Sequence, residues 1–182
     1  MDKGLIPNRY AKALYEVGAE RNCNDKLYGL MQTLAQSFAQ VPELGKTIGN
    51  PFVSNADKTA LLNKAVYGAD GQPDATYEDF IKLLEQNGRT DMAWDIARAY
   101  IDLYRRLHNI YRVVITSAAP LGEPERKRLT ALIEKHVGDA SVEYVYQVDP
   151  DLIGGFTVTI NNERLDASVS SQLKDLRLKL IN

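Results

Sequence analysis

The chain of 182 residues has one cysteine, two histidines and one tryptophan. A lone thiol, Cys23, excludes an intramolecular disulfide, and its place at a helix boundary suits a structural thiol better than a reactive one. Neither His108 nor His136 belongs to a His-Glu-x-x-His pair, so a histidine-based metal site is not expected. No apolar run reaches the ~20 residues that a membrane-spanning helix requires. The N-terminus lacks the charged-then-apolar pattern of a signal peptide, so the protein is expected to stay where it is made. Charge of one sign is also missing: 22 Lys+Arg stand against 24 Asp+Glu, shared almost evenly between the two halves. A duplex-binding protein would show a basic face or domain. The one basic cluster, Arg126-Lys127-Arg128, is flanked by Glu123, Glu125 and Glu134 and reads as a solvated helix face. There is no Gly-x-x-x-x-Gly-Lys-Ser/Thr loop, and Gly154-Gly155 precedes a strand instead of opening a helix, which argues against nucleotide hydrolysis.

What is present is helical periodicity with frequent punctuation. The spacing predicts helices over about 7–21, 25–40, 42–48, 55–66, 75–86 and 91–107, a six-helix bundle with short connections. Pro7 and Pro42 suit first-turn positions, where a missing amide proton leaves nothing unpaired. Ser54, with Asp57 three residues on, has the form of a capping box. Gly68–Pro73 is a loop, and Asn87-Gly88 a left-handed stop. After Tyr111 the period changes. Strands are expected at 113–116, 142–148 and 156–160, with a helix over 124–137 and an amphipathic helix over 166–180 to close. The fold class is therefore mainly α: a six-helix bundle over 1–108, then a small α+β domain over 109–182. Gly154 and Gly155 are assigned backbone roles, since glycine permits positive φ. Asp149, Asp151, Glu163 and Asp166 could cluster for acid–base or metal chemistry, but turn-forming and helix-starting roles explain them more cheaply.

The first helix carries more apolar surface than one core needs. Counting 100° per residue, its apolar and small residues span roughly 240°, whereas a bundle helix needs a stripe of about 100° or somewhat more. In the fifth helix, Phe80, Ile81, Leu83 and Leu84 occupy roughly 160°. Adjoining helices of this kind would frame a groove for a partner's amphipathic helix. The competing reading places the first helix centrally in the bundle, with its whole circumference packed internally. In the closing segment, Val169, Leu173, Leu176 and Leu180 form a stripe that reads as core.

Four stretches in order, RYAKALYEV (Arg9–Val17), NPFVS (Asn50–Ser54), FIKLLEQNGR (Phe80–Arg89) and DPDLIGGFTVTINNERLDASVSSQL (Asp149–Leu173), resemble the delta subunit of F-type ATP synthases, the family of the mitochondrial oligomycin-sensitivity-conferring protein. VVITSAAPL (Val113–Leu121) is similar to that family's entry into its second domain. The chain departs from the pattern at Gln172, where a basic residue is expected, and in the turn-rich Gly68–Pro73.

The resemblance implies a non-catalytic stator subunit with no cofactor and no metal. Its helical domain would hold the N-terminal helix of an alpha subunit through Tyr10, Ala13, Leu14, Phe80, Leu83, Leu84 and Asn87. Its C-terminal domain would meet the peripheral-stalk b subunits. No nucleic acid is implied, and membrane association would come only through partner subunits. With the starting Met and no transit-like segment, a peripheral position on the cytoplasmic face of a bacterial inner membrane is expected. Two rival classes are an RNA- or ribosome-associated adaptor using Arg126–Arg128, which the acidic balance opposes, and a small α+β enzyme with a helical lid.

Overall fold

The computed structural model describes residues 4–68, 72–152, 154–161 and 163–168. The chain divides into two compact units, Met1–Arg106 and Leu107–Asn182.

The first unit is built from α1 (Leu5–Glu20), α2 (Asn24–Gln40), α3 (Pro42–Ile48), α4 (Asn55–Tyr67), α5 (Ala75–Gln86) and α6 (Ala93–Leu107). A single 3₁₀ turn, Thr90–Met92, precedes α6, so the last helix starts two residues later than its periodicity suggests. Local chemistry sets most of these ends. Ser54 Oγ accepts the Asp57 amide at 3.1 Å and donates to the Asp57 carboxylate at 2.6 Å, which opens α4. At the end of α5, Gly88 adopts φ 62°, a conformation that costs a Cβ-bearing residue, and the Arg89 amide turns back to the Leu84 carbonyl at 2.8 Å.

The core of this unit is made where α2, α4, α5 and α6 converge. Leu27, Met31, Leu34, Leu62, Tyr77, Ile81, Leu84, Ile96 and Tyr100 are fully buried there. Aromatic rings extend it: Tyr28 stacks on Tyr104 with centroids 4.2 Å apart, and Tyr15 meets both Tyr100 and Tyr104. Their hydroxyls find partners as buried phenols must. Tyr100 donates to Asn24 Oδ1 at 3.1 Å, and Tyr104 donates to the Asp25 carboxylate at 2.5 Å. A cavity of about 280 Å³ opens beside Phe38, Ile48 and Trp94, with Asp91 and Asp95 at its wall.

The second unit holds β1 (Ile110–Ser117), α7 (Glu123–Val137), β2 (Ser141–Val148), β3 (Gly155–Ile160) and β4 (Glu163–Ser168). They form one four-stranded sheet of order β2-β1-β3-β4. The β1–β2 pair is parallel and uses α7 as its crossover, as parallel neighbours require. The β1–β3 and β3–β4 pairs are antiparallel. Alternation puts Val113, Ile115 and Val158 on one face, where Leu129 and Ile133 of α7 cover them. Gly155 begins β3 at φ 78°.

The sequence reading differs from this sheet at one element. It expects three strands and a helix from Asp166, whereas Asp166–Ser168 continue β4 and pair with Thr157, Phe156 and Gly155. Asn161 at φ 51° turns the hairpin, and the free edge of β3 gives the backbone of 163–168 partners that outweigh its helix-starting composition. The remainder of the expected closing helix, including Val169, Leu173, Leu176 and Leu180, lies outside the described residues.

Candidate protein-docking site

Two neighbouring stripes run along α1. Pro7, Ala11, Leu14 and Gly18 are buried in the bundle. One position round the helix, Ile6 and Tyr10 are half-buried and Ala13 and Val17 are exposed, Val17 by 37%. Both sets follow the spacing of a helix face. The first stripe satisfies the core; the second leaves apolar surface at the boundary with solvent. Helix α5 divides in the same way. Tyr77, Phe80, Ile81 and Leu84 are buried, while Leu83 is 45% exposed and Asn87 is exposed at the C-terminal end.

The two helices are tied to each other. Arg21, just past α1, donates to Thr76 Oγ1 at 3.2 Å and to Asp79 Oδ2 at 3.1 Å, both in the N-terminal half of α5. Arg21 lies one turn beyond Val17, and Asp79 one turn before Leu83. The exposed stripes of α1 and α5 therefore both run away from this polar tie.

A second polar node fixes where α5 begins. Asp74 Oδ1 accepts the amides of Thr76 and Tyr77 at 3.0 and 3.1 Å, its own amide donates to the Tyr67 hydroxyl at 2.8 Å, and Lys26 Nζ pairs with Oδ2 at 2.8 Å. Burial pushes the Asp74 carboxyl up, but the Lys26 ammonium and the two amides outweigh it and hold it below the usual carboxylate value. Cys23 Sγ lies 3.6 Å from Thr76 Oγ1 in the same region.

Of the seven residues expected to bind a partner, four retain surface: Tyr10, Ala13, Leu83 and Asn87. Leu14, Phe80 and Leu84 are 4%, 5% and 0% exposed. The bundle's own core encloses these three. Val17 was not among the seven; its i+4 relation to Ala13 is the signal that finds it. Arg21, Asp79 and Asp74 were also missed, since their partners are distant in sequence.

Elsewhere, His108 and His136 are exposed. Among the described residues no group of three His, Cys, Asp or Glu could hold a metal ion. Asp149 serves a turn, its Oδ1 accepting the Asp151 amide at 3.0 Å. The basic cluster is only partly a solvated face. Lys127 and Arg128 are exposed, but the Arg126 guanidinium lies over the Tyr146 ring at 5.0 Å. Among the described residues no helix is long and apolar enough to cross a membrane.

Fold and seam together define a two-unit, α-rich protein whose helical unit leaves apolar helix surface unburied by its own packing. The model of the ATP synthase delta (OSCP) subunit family matches residues 6–180, and the chain belongs to that family. It is 36% identical to the ATP synthase subunit delta of Parabacteroides distasonis, over 100% of this chain and 98% of that one. Identity to the subunit delta of Bacteroides thetaiotaomicron is 35%, over 100% and 97%. In fold, it matches a chain of the Toxoplasma gondii mitochondrial ATP synthase hexamer with a TM-score of 0.70 at 21% identity, over 97% of each chain.

Proposed function

We propose that this protein is a non-catalytic stator subunit of a bacterial F-type ATP synthase. Its helical unit grips the N-terminal helix of an alpha subunit and its α+β unit meets the b subunits of the peripheral stalk. A rotary motor delivers torque to its catalytic head only if the head is kept from turning with the rotor. A protein bound to the head on one side and the stalk on the other supplies that restraint without chemistry of its own. It sits on the cytoplasmic side of the inner membrane through these partners.

One observation carries the reading: α1 leaves the apolar stripe Tyr10, Ala13, Val17 and α5 leaves Leu83 and Asn87 at the surface, on two helices that Arg21 ties together. An amphipathic helix laid on this seam would cover Val17 and Leu83, above the buried Leu14, Phe80 and Leu84. Each large apolar side chain so covered contributes ~1.5–3 kcal/mol gross, less the cost of association.

Ala13→Asp and Leu83→Asp place a charge on the seam at positions the fold leaves exposed. Each is expected to weaken binding of a synthetic alpha N-terminal peptide by about tenfold or more, because a carboxylate would be desolvated without a partner. Circular dichroism should be unchanged. Calorimetry returning wild-type affinity for both variants would overturn the assignment of this seam.

A further inference from the structure

The two edges of the sheet are unlike. β4 carries Glu163, Arg164 and Asp166 within six residues, and charged residues on an edge discourage further pairing. β2, SVEYVYQV, runs for eight residues with a single charge, Glu143, and has neither lysine nor proline. Its register with β1 continues through all eight positions without a bulge. Among the described residues no strand pairs with its outer side. Length, an unbroken register and the lack of guarding residues are features by which an edge recruits another strand.

The side chains at one end add a preference. Tyr146 and Val148 are 39% and 52% exposed. The Arg126 guanidinium lies over the Tyr146 ring at 5.0 Å. Nearby, Arg126 Nε and the Tyr144 hydroxyl are buried without a hydrogen-bond partner. This end of the edge is apolar and aromatic, with the Arg126 guanidinium over it and polar groups still unsatisfied.

We propose that β2 is a docking edge: an extended segment of a partner polypeptide pairs with Ser141–Val148 as a fifth strand. Its alternate residues are apolar, against Tyr146 and Val148, and it carries a carboxylate at the Arg126 end. A helix laid here would leave the outward amides and carbonyls of β2 without main-chain partners, whereas a strand satisfies them. Main-chain hydrogen bonds supply affinity and the alternating side chains supply selectivity. That the segment comes from the peripheral stalk rests on the function proposed above; the edge itself does not.

The test compares hydrogen exchange of the free chain with that of the assembled ATP synthase, read by mass spectrometry over Ser141–Val148. On assembly, exchange there is expected to slow by about tenfold or more, equivalent to 1.4 kcal/mol. In a second arm, Val148→Cys in a Cys23→Ser background is cross-linked within the complex. The captured segment should alternate apolar residues and contain Asp or Glu. Val148→Lys, a guard at an exposed position, should reduce the protection. Exchange that is unchanged on assembly overturns the docking edge, as does protection already complete in the free chain, which would mean the chain fills its own edge. Capture of a helical segment also overturns it. Protection with cross-links to a subunit outside the stalk upholds the edge and removes the stalk assignment.

Discussion

Single side chains fix where the helices of the first unit begin and how closely they approach. Asp74→Ala is expected to destabilise that unit by about 0.5–2 kcal/mol through loss of the cap, measured by urea unfolding. Asp74→Asn retains a cap oxygen but loses the ion pair to Lys26. Because the Asp74 carboxyl is held below its usual value, its contribution is present above about 3.8 and is lost as pH falls through the lower folded value. Wild type and Asp74→Asn should therefore differ in Tm at neutral pH and converge in acid. At Gly18 a Cβ would lie 2.0 Å from Asn24 Oδ1 and 2.8 Å from Leu27 Cδ1. Leu27 is fully buried and Asn24 is held by Tyr100. Gly18→Ala should therefore destabilise by about 1–2 kcal/mol despite its better helix propensity. Gly29→Ala, with nothing within 4 Å, should stabilise by roughly 0.5–1 kcal/mol, so the two variants move Tm in opposite directions. The Ser54–Asp57 cap was legible in the sequence because its partners are three residues apart. The ties of Asp74 to Lys26 and of Arg21 to Asp79 were not, since only the tertiary fold brings them together.

At the scale of elements, periodicity reported which helices carry apolar surface in excess, and it named α1 and α5. It could not say which of two adjacent apolar stripes each bundle would bury. Leu14 is buried and Ala13 exposed because the tertiary packing sets which face turns inward, and a sequence pattern does not contain that direction. The segment ERLDAS was misread for a related reason: its composition suits a helix start, but pairing with β3 prevails. Helix α6 offers a further test. Burial, and then the Asp25 carboxylate, push the Tyr104 hydroxyl up to about 12, and burial pushes Tyr100 up further. The stability of neutral phenols is fully present below the ordinary tyrosine value of 10.0 and is lost as pH rises through these folded values. Loss of helical ellipticity and the late rise of tyrosinate absorbance should therefore coincide between about pH 10 and 12. Tyr104→Phe should lower stability at neutral pH, because Asp25 then loses its phenolic donor.

For the whole molecule, two compact units allow each to be tested by itself. A fragment ending at Arg106 keeps every residue of the α1–α5 seam and the core beneath it. It is expected to fold and to bind the alpha N-terminal peptide within a few-fold of the full chain. Deleting the chain from Val113 onward should abolish binding to the b subunits while sparing the alpha contact. Loss of both by a fragment that remains folded would refute this division. The cavity beside Phe38 and Ile48 holds one more asset. Its wall includes Trp94, stacked 5.0 Å from the Arg98 guanidinium, and the chain has no other tryptophan. Nature has thus placed a single indole fluorophore in the helical half and none in the other, so emission spectra can follow melting of the first half alone while far-ultraviolet ellipticity sums both.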